Sequence, residues 1–180
     1  MFEIRYRIPE EEISEISSLD AAELDAEFND IEGQIELKFN GNKYGLCHEQ
    51  VPFGQELLLF WFGLLNSVAT KLRKAHYVAM SIPETAASFF EFVRSGEFLK
   101  VSLVTVATSN STSFILESPL SDVVQYDWKD TRILVQDFQC EVSQKIEELL
   151  KELETINPEL LKSKCVRRFI EEYNSSHLNT

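Results

Sequence analysis

The residue types that metal sites and nucleophilic mechanisms use cluster at one place in this chain, Cys47-His48-Glu49. A thiolate beside an imidazole can bind zinc or act as an activated nucleophile, but either use requires the side chains to converge. On an extended strand adjacent side chains leave opposite faces, so Cys47 and His48 are expected to diverge. No second Cys/His cluster completes a site: the remaining cysteines are Cys140 and Cys165, and the remaining histidines His76 and His177. Three cysteines at long, irregular spacings fit neither a disulfide framework nor a zinc site and are expected as free thiols. His76 falls in an apolar run and reads as a core or strand-end residue, which leaves a Ser-His-Asp or Cys-His mechanism without support. The six glycines form none of the Gly-rich loops that cradle phosphates. No metal and no cofactor are expected, and an enzyme is disfavoured. Carboxylates are numerous enough for two to meet in a cleft, so a hydrolase without a recognisable motif stands as an alternative.

The carboxylates carry the strongest signal. Asp and Glu number 30 against 17 Lys and Arg, a formal charge of -13 with a pI near 4.7. Glu10, Glu11, Glu12, Glu15, Asp20, Glu23, Asp25, Glu27, Asp30, Glu32 and Glu36 all lie between Pro9 and Leu37, where no Lys or Arg occurs. Such a chain is repelled by phosphate backbones and anionic bilayers, so neither nucleic acid nor a membrane surface is an expected partner. A concentrated anionic segment instead steers and holds a basic protein. The residues expected to do so are Glu11, Glu12, Glu15, Asp20, Glu23, Asp25, Glu27, Asp30 and Glu32, with Phe28 and Ile31 as apolar anchors. The competing reading is a solvated connection with no partner. Lys162, Lys164, Arg167 and Arg168 form a basic cluster flanked by Glu159, Glu171 and Glu172, expected as a solvated face or a counterpart to the acids.

These residues need elements to position them. At 180 residues and 44% hydrophobic, the chain is long enough to bury a sizeable core. The expected organisation is a single α+β domain over 1–174 and a flexible tail over 175–180. Its centre is a helix from Phe53 to Lys74 that is apolar nearly all round, with Glu56 in its first turn and Lys71, Arg73 and Lys74 in its last. Around it a mostly antiparallel sheet of six or seven strands is predicted, with two helices at the C-terminus.

Phe2 to Ile8 alternates as a half-buried strand should. Asp20 and Glu23 have capping-box spacing ahead of a short helix near Ala21 to Asn29. Asn40-Gly41 between alternating runs predicts a hairpin with a type I′ turn, which faces Leu37 with Tyr44 and Ile35 with Leu46 and leaves Glu36, Lys38 and Lys43 outward. Ala75 to Ile82 reads as an interior strand. Ser95-Gly96 predicts a second hairpin that pairs Phe92 with Leu99, Phe90 with Val101 and Glu91 with Lys100. Thr108 to Thr112 is a predicted polar turn, Phe114 to Glu117 a further strand, and Val123 to Tyr126 a short edge strand. Val135, Phe138, Val142, Ile146, Leu149, Leu153 and Ile156 mark one stripe of a long helix that begins near Trp128. Asn157-Pro158 caps a second helix that points Leu161, Cys165, Phe169 and Tyr173 inward.

The opening MFEIRYRIPEEE has neither the basic flank nor the apolar core of a signal peptide. The apolar run Leu57 to Leu65 is far shorter than the ~20 residues of a membrane span, so a cytoplasmic location is expected. In acidity, size and lack of catalytic motifs the chain is similar in class to bacterial immunity proteins, compact acidic α+β domains that neutralise cognate toxins. That likeness of composition and build implies an inhibitor whose partner is a basic, nuclease-like toxin domain. A small-ligand-binding domain, with a cavity between sheet and helix, is the other alternative.

Overall fold

The structure, a computed structural model, describes residues 1–85, 87–107 and 113–177, with the backbone alone at His177. The predicted turn Thr108 to Thr112 and the last three residues of the predicted tail lie outside the described residues. In order, the elements are β1 (Phe2–Arg7), α1 (Glu10–Ile16), α2 (Ala21–Glu23) with a π-helical turn Leu24–Phe28, β2 (Glu32–Phe39), β3 (Asn42–Leu46), β4 (Glu56–Leu57) and α3 (Leu58–Lys71). There follow β5 (Tyr77–Ser81), β6 (Ser88–Ser95), β7 (Phe98–Val106), β8 (Ile115–Leu116), β9 (Val123–Leu134), α4 (Val135–Ile156), a 3-10 turn Pro158–Lys162 and α5 (Lys164–His177).

The class is α+β as expected, but the strands form two antiparallel sheets, not one of six or seven. One has the order β1-β2-β3 with β4 also pairing β2, and the other has the order β8-β5-β6-β7-β9. Strands pair mainly with chain neighbours, and α3 separates the two sets. The chain divides into two compact units, Met1–Glu3 with Lys38–Lys43 and Leu64–Glu141, and Ile4–Leu37 with Tyr44–Gly63 and Val142 onward.

In the first unit both faces of the five-stranded sheet are apolar. Ala79, Phe89, Val104 and Val106 form a buried cluster on one, with Tyr77, Leu116 and Val123 packed against it. Phe90 and Phe92, displaced by one residue and therefore on the opposite face, join Phe39, Phe138 and Trp128 at ring separations of 5.3–6.3 Å. Covering on both sides explains why β5 is apolar throughout. The β6–β7 loop is Gly96-Glu97, one residue later than predicted, with Gly96 at φ +61°. The register moves accordingly: Phe92 pairs with Val101 and Glu91 with Ser102. A glycine with positive φ at the first loop position suits the twist of a hairpin, and it outweighs the single charge pair that favoured the other register.

β9 is the second correction. It continues through Leu134, so α4 starts at Val135 and not near Trp128. Three register shifts against β7 break its alternation, and Trp128, Thr131, Val135 and Phe138 then recur at a helix-like spacing. The predicted stripe of α4 is otherwise buried from Val135 through Leu153.

In the second unit the N-terminal signals hold. Asp20 and Glu23 form the capping box of α2, and the π-helical turn ends at Asn29 with φ 56°. α1, absent from the predicted elements, buries Ile16 and Glu12. The loop Asn40-Gly41 between β2 and β3, which belongs to the first unit, is present, but Asn40 (φ 53°), not Gly41, is left-handed, so the turn is not of type I′. Glu36 faces inward, 4% exposed and ion-paired with Arg5 at 3.3 Å. α3 starts at Leu58, five residues later than predicted, because Glu56 and Leu57 extend as β4 against Gly33 and Glu32. From Leu58 to Ala69 it is buried almost all round, as its composition requires. After Asn157, which caps the 3-10 turn by accepting the Glu159 N–H at 3.0 Å, α5 begins only at Lys164; Leu160 and Val166 are buried instead of Leu161, while Cys165, Phe169 and Tyr173 point inward as predicted. No helix among the described residues is long and apolar enough to cross a membrane.

Candidate functional site

A carboxylate is most stable where it meets N–H donors or water, and the acidic segment divides along that line. Asp20 Oδ1 accepts the N–H groups of Ala22 and Glu23 at 2.8 and 2.9 Å, and Glu23 accepts the Asp20 N–H in return. Asp25 accepts the N–H groups of Lys164 and Cys165 at 2.9 and 3.0 Å, which caps α5. Those backbone donors, Lys164 first, hold its carboxyl below the usual range.

Asp30 is buried and accepts from Ile31, Leu59 and Phe60 at 2.7, 2.8 and 3.1 Å, which caps α3. Burial outweighs these bonds and the charge of Arg168, and pushes the carboxyl up to about 6. Glu12 is buried and accepts the Glu32 N–H at 3.3 Å; burial, followed by repulsion from Glu32 and Glu15, raises its carboxyl above the ordinary value.

Glu10, Glu11, Glu15 and Glu27 remain exposed, and among the described residues none makes a salt bridge. Of the two anchors expected from sequence, Phe28 is half-buried and Ile31 is fully buried, with its carbonyl accepting the Leu58 N–H at 2.8 Å. The residues placed on the surface are therefore Glu11, Glu15 and Glu27 with the capping pair Asp20 and Glu23, whereas Glu12, Asp30 and Ile31 face inward and Asp25, Phe28 and Glu32 are half-buried. Among the described residues the large apolar side chains exposed in this unit are Phe53 and Leu57, which the sequence places in the buried helix.

The other candidates are positioned structurally. Cys47 and His48 follow β3 in a loop, not on the strand that the sequence suggested. His48 donates its N–H to Gln34 Oε1 at 2.9 Å and accepts the Gln50 N–H on Nδ1 at 3.2 Å. Burial raises the thiols of Cys47 and Cys165 above their ordinary value, the opposite of what an activated nucleophile needs. His76 is exposed immediately before β5. Lys162 pairs with Glu159 within the 3-10 turn.

An open depression of about 530 Å³ is lined by Tyr6, Glu148, Lys151, Glu152, Thr155 and Ile156. Tyr6 donates its hydroxyl to Glu152 at 2.9 Å, and Lys145 keeps the Glu148 carboxyl below its usual range. A general acid at neutral pH needs the reverse shift of the one found at Glu148. Among the described residues no three His, Cys, Asp or Glu side chains are grouped to hold a metal ion. Compared with protein-family models, curated proteins and solved structures, the chain matches none of them.

Proposed function

We propose that this chain is a cytoplasmic protein-binding domain that neutralises a basic partner, an inhibitor of the immunity type whose target is a nuclease-like toxin domain. The observation that supports it is the set of exposed carboxylates Glu10, Glu11, Glu15 and Glu27, none of which has a salt-bridge partner among the described residues. Carboxylates left in water without a cation do little for the fold and project their field outward. A basic partner with a phosphate-binding surface is attracted over a Debye length, about 8 Å at physiological salt, and its active surface is covered on docking.

The test is replacement of Glu10, Glu11, Glu15 and Glu27 together by Gln, with association to a panel of basic nuclease domains followed by stopped flow. The expected result is a rate constant lower by about tenfold at low salt, a flatter salt dependence and an unchanged melting temperature. An unchanged rate and salt slope would remove the reading.

A further inference from the structure

Charge steers, but a stable complex also needs buried apolar anchors near its centre. Ile31 is inaccessible and Phe28 half-buried, whereas the same unit exposes Phe53, at 68%, and Leu57, at 41%. Leu57 is the direct partner of Glu32 across β4 and β2, which puts the two side chains on one face of the sheet. Gln34, two residues along β2 and on that same face, is 1% exposed. Its amide donates to the Val51 and Phe53 carbonyls at 2.7 and 2.9 Å while its oxygen accepts the His48 N–H at 2.9 Å. One buried side chain thus draws the loop after β3 across the face where Glu32 and Leu57 emerge. Gly54, with φ +80°, turns the chain directly after Phe53. An exposed aromatic on a loop tied down in this way has little freedom to lose on binding.

Negative charge adjoins it. Glu32 stands directly across from Leu57, and the Glu12 carboxylate reaches the Glu32 N–H at 3.3 Å. Among the described residues no Lys or Arg pairs with either carboxylate.

We propose that Phe53 and Leu57, with the Glu32 carboxylate on the same sheet face as Leu57, form a docking surface whose occupant is a basic segment of a partner protein that carries an apolar side chain among its Lys and Arg. The sign of the partner rests on the proposed function; the place of contact does not. A second copy of this chain is disfavoured as occupant, since each copy brings a charge of -13.

The experiment titrates the isotopically labelled full chain with two synthetic peptides, one alternating Lys and Leu and one alternating Lys and Ser, at low and physiological salt. The Lys–Leu peptide should bind about tenfold more tightly, with amide shifts centred on residues 47–57 and Glu32. Phe53→Ser alone, and Phe53→Ser with Leu57→Ser, should each remove most of that preference with the rest of the spectrum intact, since both side chains are already in water. Equal binding of the two peptides, or shifts centred elsewhere, overturns the docking surface while the acidic reading survives. Binding at this surface without salt dependence overturns the basic partner and with it the proposed function. Self-association of the free chain that Phe53→Ser abolishes would make a second copy the occupant, against the proposal.

Discussion

Gly45 and Gly41 lie four residues apart around one hairpin and carry opposite constraints. At Gly45 φ is +83°, and a Cβ would stand 2.2 Å from the Ile35 carbonyl oxygen, a backbone atom that cannot move aside cheaply. Around Gly41 a Cβ would meet nothing within 4 Å. Gly45→Ala is therefore expected to lose about 2 kcal/mol or more in urea denaturation, and Gly41→Ala no more than about 0.5 kcal/mol. The sequence reading points to the wrong member of this pair. Asn-Gly is a local turn signal and shows where the loop falls, whereas the need for Gly45 arises from Ile35 on the neighbouring strand, which nothing next to Gly45 reveals. Phe53 and Leu57 were misplaced for a similar reason. Phe53 precedes and Leu57 opens a long apolar run in the sequence, yet β4 pairing keeps Leu57 extended and the Gln34 amide holds the Phe53 carbonyl.

Helix N-termini show how far the acidic segment acts through the backbone and not through surface charge. Asp20 caps α2 within its own turn and was legible from the spacing to Glu23. Asp25 caps α5 and Asp30 caps α3 across separations of 139–140 and 29–30 residues, so no local pattern announces them. Each serves N–H groups that a helix start otherwise leaves unpaired. Asp25→Ala should accordingly lower the melting temperature and speed hydrogen exchange at the Lys164 and Cys165 amides, while Glu27→Gln, which removes an exposed carboxylate of the same turn, should do neither. Equal exchange at those amides in both variants would mean that α5 does not depend on the cap. The same contrast explains β9 and α4. Their boundary at Leu134 depends on bulges against β7, a property of the pairing, while the stripe from Val135 onward is a property of the helix and was read correctly.

Taken across the chain, buried acid and high net charge both make stability depend on pH, and Asp30 allows the two to be separated. In the folded chain its carboxyl takes up a proton at about 6, against 3.8 when unfolded. Between those values the folded state holds a proton that the unfolded state has released, so stability from this group is full below 3.8 and is lost as pH rises through about 6. The amount is on the order of 2–3 kcal/mol. Falling pH also relieves the mutual repulsion behind the charge of -13, which acts in the same direction, so the pH profile of the unaltered chain cannot apportion the two effects. Asp30→Asn keeps one oxygen for the Ile31 and Leu59 N–H groups that share Oδ1, loses the Oδ2 acceptor of the Phe60 N–H at every pH alike, and does not titrate. With urea denaturation measured in small steps across the window, the unaltered chain should gain stability relative to Asp30→Asn as pH falls, and the gap should stop growing once pH passes below about 4. Parallel curves would mean that Asp30 stays ionised throughout, and that its three backbone donors, not its burial, set its charge.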